Sequence, residues 1–232
     1  MEVPVFDFQL GVEPSLFFPK LRYKRSPFHF LSIGAPSTRK NSQIAVNAFL
    51  DTFAGIDDVF LIYKCIGEPD ARIYPDSSAR NSVYKHSKIK VIDIDLPIEQ
   101  LSELYDSIDC VIYPTSGEGW GLMPYQSIAK GIPTICTNAT ACTEFAEMSV
   151  PLNFSFGKNK MSGIYEDAGV WAEPDYQDLC DKMLYVVKNY DKVASDTFDG
   201  AKYINKNLTW EKVSLDYKER LCQISNKLEK KV

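Results

Sequence analysis

The chain has 232 residues, 45% of them hydrophobic and 25% charged, with a formal net charge of −5. That length holds one large domain or two small ones and buries a sizeable core. The acidic balance argues against a general nucleic-acid binder, which needs a basic stripe. The longest apolar runs, such as Val59 to Tyr63, are far too short to span a bilayer.

The first segment, Met1 to Arg25, reads as extended and linker-like, punctuated by Pro14 and Pro19. Met1-Glu2-Val3 opens no secretory signal, since neither a basic start nor an apolar segment follows. Phe28 to Ile33, an apolar run ended by Gly34, predicts a buried first strand. A polar loop, Ala35 to Thr38, leads to Arg39-Lys40-Asn41 and then to Ile44, Ala45, Ala48 and Phe49 at helical spacing. Val59 to Ile66, Lys88 to Ile94, Asp109 to Tyr113 and Thr134 to Thr137 predict strands two to five. Pro97 opens a helix with Leu101, Leu104 and Tyr105 on one face. Glu68 to Lys85 shows no periodicity and reads as an irregular loop or short helices, and Asn153 to Gly169 reads as irregular. Asp175 to Asn189 predicts a helix that buries Leu179, Met183, Val186 and Val187. Thr209 is an N-cap for a last helix continued by Val213, Tyr217 and Leu221. Strands alternating with helices imply an α/β fold built on a doubly wound parallel sheet.

The six cysteines form no metal-binding pattern. Cys65, Cys110 and Cys136 fall in apolar runs, where a free thiol behaves as a small hydrophobe. A reducing, cytoplasmic setting is expected, and the three matches to the glycosylation sequon, at Asn138, Asn153 and Asn207, read as chance. His29 and His86 fall outside every motif, and the basic end, Lys227 to Lys231, reads as a solvated tail.

The informative stretch is Tyr113 to Glu144. It runs from a strand end through the turn Gly117-Glu118-Gly119-Trp120-Gly121 into a helix from Leu122 to Lys130, then through Gly131-Ile132-Pro133 into a strand. Glycines in such a turn permit positive φ and close ligand approach. The helix start presents free N–H groups and a positive dipole end to that turn, which suits an anion. An anion site with one carboxylate beside it fits a ligand carrying both phosphate and hydroxyls, such as a nucleotide sugar.

With Glu118-Gly119-Trp120-Gly121-Leu122, and Ile128-Ala129-Lys130-Gly131-Ile132-Pro133-Thr134 in register behind it, the stretch resembles the donor-site signature of family 4 glycosyltransferases with the GT-B fold. Gln126 stands where that signature carries a second glutamate. Further matches are Gly34-Ala35-Pro36-Ser37-Thr38-Arg39-Lys40-Asn41, which resembles the family's phosphate-binding loop, and the closing phrase Leu208-Thr209-Trp210-Glu211. Gly11-Val12-Glu13-Pro14 with Phe17-Phe18-Pro19 is similar to the phrase that ends the family's N-terminal domain. The resemblance therefore covers Leu10 to Leu221 but only the second half of a full enzyme. It implies a Rossmann-like donor domain over residues 26–232, preceded by a linker over 1–25.

Residue by residue, the resemblance places Lys40 on the donor's diphosphate and Glu118 on the transferred sugar, the two expected to serve catalysis. Ala35 stands where many members carry arginine, so one cation is missing, and Arg39 is the candidate to compensate. Gln126, as a neutral acceptor, is expected to hold ribose less strongly than a carboxylate would. Gly34, Gly119, Gly121 and Leu122 line the donor site in this scheme. Trp120 either stacks on the donor or wedges the helix against the sheet, and Glu144 matches a recurrent glutamate or is a helix-start charge. Lys64 ends a strand at the carboxyl edge of the sheet, where open α/β sheets bind ligands. The expected activity is metal-independent, retaining transfer of a hexose-like sugar from a UDP- or GDP-linked donor, with no further cofactor. The acceptor domain is expected from a separate partner chain. Two alternatives stand beside this: a non-catalytic nucleotide-sugar-binding or scaffold protein derived from the same domain, and an unrelated doubly wound binding domain.

Overall fold

The computed structural model describes residues 6–66, 86–159 and 169–229. Strand β1 (Phe28–Ile33), helix α1 (Ser42–Phe53), β2 (Val59–Cys65), β3 (Ile89–Asp93), α2 (Ile98–Asp106), β4 (Cys110–Tyr113), α3 (Leu122–Ala129), β5 (Thr134–Thr137) and β6 (Val150–Leu152) follow in chain order. The antiparallel pair β7 (Phe154–Lys158) and β8 (Val170–Pro174) comes next, then α4 (Tyr176–Lys188), α5 (Tyr190–Asn207) and α6 (Trp210–Glu229). Strands β1 to β6 form one parallel sheet in the order β3-β2-β1-β4-β5-β6. The five expected strands, and the helices expected over Leu122 to Lys130 and Asp175 to Asn189, stand within two residues of their expected ends, while the last helix runs on from Leu221 to Glu229. The sequence Glu68 to Lys85, expected to be irregular, lies outside the described residues.

A parallel sheet covered on both faces needs continuous apolar strands, because alternate side chains enter different cores. In β1, Phe28 and Phe30 pack with Phe49 and Phe53 of α1 and with Met183 and Tyr190, while Leu31 and Ile33 face Val111, Tyr125 and Ile128 on the other side. All of these are buried.

Part of the stretch expected to be irregular forms strands instead: β7 begins at Phe154, and β6 and β8 flank it. Their runs are short, and β7 and β8 leave Phe156 and Val170 70% exposed, so no buried-strand pattern marks them. Helix α5 also escaped the periodicity reading. Its buried residues are Tyr190, Val193, Ala194, Thr197, Ala201 and Ile204, mostly small beyond the first, and Gly200 sits in its interior. The glycine is there because a Cβ at 200 would stand 2.7 Å from Met148 Cβ.

The described part of the N-terminal segment is tied down at several points. Val12 bridges to the start of α6, donating to Leu208 O (2.9 Å) and accepting from Trp210 N (3.1 Å), and Phe8 stacks on Tyr217 at 4.2 Å. Further on, Asp106 at the end of α2 collects Lys20 (2.8 Å), Arg22 (2.7 Å) and the buried Lys130 (3.1 Å). Lys130 also donates to Ser102 O and Oγ at 2.9 and 2.7 Å. Burial pushes the Lys130 ammonium below its ordinary pKa, and the Asp106 carboxylate opposes that shift.

Burial raises the Asp106 pKa, but its bonds from Lys20, Arg22 and Lys130 outweigh this and bring it from 3.8 to about 2. A carboxylate with a depressed folded pKa contributes stability above its unfolded pKa and loses it as pH falls through the folded value. Here that window runs from about 4 down to about 2. The carboxylate is 33% exposed, so screening reduces the contribution to about 1–2 kcal/mol. Asp106→Asn should therefore lower stability at pH 6 in urea titrations, with the difference from wild type closing by pH 2. A difference independent of pH would show that charge does not hold this junction.

Candidate donor site at the sheet's switch point

Connections leave β1 and β4 toward opposite edges of the sheet, so their carboxyl ends open the crevice in which doubly wound sheets bind ligands. The loops after these two strands carry the residues singled out by the resemblance. After β1, Gly34 takes φ +148 and donates to Lys64 O at 3.1 Å, and the Lys40 stem lies against it. The Ser37 side chain then caps a single 3₁₀ turn, Thr38–Lys40. Asn41 adopts left-handed backbone (φ 52), and its amide donates to Pro114 O and Ser116 Oγ, both at 2.8 Å. Ser116 N donates to Arg39 O at 2.8 Å. The two loops are thus stitched together by the chain's own hydrogen bonds.

That stitching brings Lys40, Arg39 and Glu118 into contact. One carboxylate oxygen, Glu118 Oε1, accepts from Lys40 Nζ (2.6 Å), Arg39 Nη1 (2.9 Å), Thr115 Oγ1 (2.8 Å) and Tyr113 Oη (3.1 Å). Arg39 Nη1 also donates to Gly117 O at 2.5 Å, and Lys40 Nζ to Tyr113 Oη at 2.5 Å. Arg39, whose direction the sequence left open, therefore points into the site. The Glu118 side chain is 9% exposed and that of Lys40 15%. Burial raises the Glu118 pKa, but the Lys40 bond and charge, Thr115 and Arg39 together take it below its ordinary value. It is a carboxylate at neutral pH.

Of the glycines in the turn, only Gly121 uses positive φ (+91), where it N-caps α3 without a side-chain cap. A Cβ there would stand 3.0 Å from Cys142 Sγ. Gly119 has open space where a Cβ would go, which leaves room for close approach. Pro124 carries no N–H, so Leu122 and Met123 supply the amides of the first turn of α3. The anion-binding end of this helix is narrower than its position alone suggested.

The other singled-out residues are placed as follows. Trp120 packs on Tyr125 (5.4 Å, edge-on) and Phe145 (6.0 Å), which is the wedging arrangement. Gln126 Oε1 is buried and has no hydrogen-bond partner. Lys64 is buried at the end of β2 and donates to Cys65 O at 3.1 Å. It borders a cavity of about 180 Å³ shared with Gly34, Ala35, Asp95, Leu96 and Met123. Glu144 accepts from Gln9 Nε2 at 3.0 Å, away from the cation cluster. Tyr113 and Thr115 were missed as site residues, although each lies within five residues of Glu118. A strand-end tyrosine reads as core until the fold shows what its hydroxyl meets. Among the described residues no group of three or more His, Cys, Asp or Glu is placed to hold a metal, and no helix is long and apolar enough to cross a membrane.

The fold recurs in solved structures. A sucrose-phosphate synthase from Thermosynechococcus elongatus superposes with a TM-score of 0.71 at 15% identity, over 94% of this chain and 52% of that one. The C-terminal domain of LpcC, a group 1 family glycosyl transferase from Francisella tularensis, superposes with a TM-score of 0.62 at 17% identity, over 83% of this chain and 97% of that one. HepE of Anabaena, in complex with UDP and glucose, gives a TM-score of 0.61 at 14% identity, over 84% and 48%. The chain thus spans about half the length of the synthase and of HepE. The architecture is that of the Rossmann-like C-terminal half of a GT-B glycosyltransferase. No curated protein matches the chain in sequence. Residues 1–215 match the family described as family 4 glycosyltransferase in conflict systems, and the chain belongs to that family.

Proposed function

We propose that this chain is the donor-binding half of a retaining sugar transferase and holds a nucleoside diphosphate sugar at the β1–β4 crevice. The observation that carries this reading is the convergence of Lys40 and Arg39 on Glu118 Oε1, in the loop that leads into α3 at the switch of the sheet. When the sugar's bond to the diphosphate breaks, negative charge develops on the leaving oxygens, and these cations and N–H groups are placed to stabilise it. Glu118, freed from the cations by the diphosphate, turns to the sugar's hydroxyls. The unpartnered Gln126 carbonyl is buried, and on turning toward the crevice it would accept from one ribose hydroxyl. The cavity beside Lys64 takes the base.

The acceptor half comes from a partner chain in this reading. Its support is the exposed series Tyr217, Leu221 and Ile224 on α6, with Phe6 beside it, an apolar face of the kind that domain junctions bury. The second reading, a nucleotide-sugar-binding protein without transfer activity, is favoured by Ala35, which supplies no cation.

Calorimetric titration with UDP, GDP, the matching nucleosides and a panel of their sugar conjugates tests the proposal. Diphosphates should bind at least tenfold more tightly than nucleosides, since the site is built for phosphate charge. Equal affinity for nucleoside and diphosphate would sink the assignment. Sugar release to an acceptor mixture, with and without candidate partner chains, separates the transferase from the binding protein.

A further inference from the structure

Tyr113 ends β4 with only 3% of its surface exposed, among the apolar residues between the sheet and α3. For packing alone, phenylalanine would serve there. A buried hydroxyl must find partners, and this one has two, both in the donor site. It accepts from Lys40 Nζ at 2.5 Å and donates to Glu118 Oε1 at 3.1 Å, so its single O–H and one lone pair are both used. The Lys40 ammonium also lies 5.0 Å from the Tyr113 ring centroid. Lysine has three N–H donors. Tyr113 takes one and Glu118 another, and both partners hold the lysine on the side of β4.

We propose that Tyr113 is a positioning residue of the diphosphate site, anchoring Lys40 so that its ammonium exchanges between the Glu118 carboxylate and the donor's phosphate oxygens. This rests on the donor-site reading above. Glu118 is then a built-in competitor of phosphate for Lys40 and Arg39, since its Oε1 already accepts from both. Burial, and next the neighbouring Glu118 charge, raise the phenol pKa, so Tyr113 keeps its proton and remains a donor to that carboxylate throughout the accessible pH range.

The test is a double-mutant cycle read by calorimetry with UDP and GDP, on Tyr113→Phe, Lys40→Ala and the double variant. Phenylalanine keeps the ring and loses only the hydroxyl. Tyr113→Phe should weaken nucleotide binding about three- to tenfold in the wild-type background and by less than twofold in the Lys40→Ala background, because a positioning residue acts only through the group it positions. Equal losses in the two backgrounds would mean that Tyr113 affects the site merely as a structural element, and would overturn the inference. So would unchanged binding in Tyr113→Phe alongside weakened binding in Lys40→Ala, an outcome that leaves the donor-site reading standing. Unchanged binding in Lys40→Ala overturns both. Glu118→Gln supplies an independent arm: removing the competing charge should tighten bare UDP or GDP about three- to tenfold while loosening any preference for the sugar conjugate. Weaker binding of the bare nucleotide in Glu118→Gln would refute the exchange.

Discussion

Lys40→Ala should weaken UDP or GDP binding by roughly 1.5–3 kcal/mol, about ten- to a hundredfold, while leaving the chain folded. A charge-assisted bond to phosphate sets the upper end of that range. The lower end follows from what the lysine gives up: its ammonium is bonded to Glu118 at 2.6 Å, and that bond is exchanged for the one to phosphate. Folding should survive because Glu118 keeps Arg39, Thr115 and Tyr113 as donors. Calorimetry on the purified variant, with circular dichroism to verify the fold, decides the matter. Undiminished affinity in a folded protein would remove Lys40 from the phosphate site.

Gly131→Ala should cost about 2–4 kcal/mol of stability. The residue has φ +74, a conformation that strains any side chain with a Cβ. The added methyl would also stand 2.5 Å from Lys20 O, a backbone atom that cannot rotate away. To relieve the contact, the Lys20 segment must lift from the domain, which pulls at its hydrogen bond to Lys130 O (3.2 Å) and at the Lys20 and Arg22 pairs with Asp106. Gly55→Ala is the control, because nothing lies within 4 Å of the position its Cβ would take. Urea unfolding should show a large drop in midpoint for the first variant and little change for the second. Similar midpoints for the two would mean that the N-terminal segment is not packed over Gly131.

These two positions also mark how far the sequence reaches. Gly131 belongs to a recognisable Gly-x-Pro phrase, yet what excludes a side chain there is Lys20, over a hundred residues away in the chain. Lys40 stands in a recognisable loop, yet its partners Tyr113 and Glu118 come from the other side of the switch point.

The parallel, doubly wound architecture was legible in the sequence because its strands are buried on both faces and must be continuously apolar, and because helices such as α4 repeat large apolar residues at helical spacing. The positions of the Gly34 to Asn41 loop and of the Glu118 turn were legible for a similar reason: glycine, proline and charge at set offsets are local requirements of a turn and a helix start. Helix α5 was not, since its contact side is built of small residues whose need for close packing exists only once Met148 lies against Gly200. Strands β7 and β8 were not, because their pairing leaves large side chains exposed, and no local pattern encodes a partner strand. Tertiary structure alone decided that the carboxylate oxygen meeting the nearby Thr115 and Tyr113 hydroxyls also collects two cations, since the cation contacts join loops more than seventy residues apart and depend on Asn41 tying them together. A buried carboxylate is stable only where cations and hydroxyls meet it, and only the folded sheet brings them to the same point.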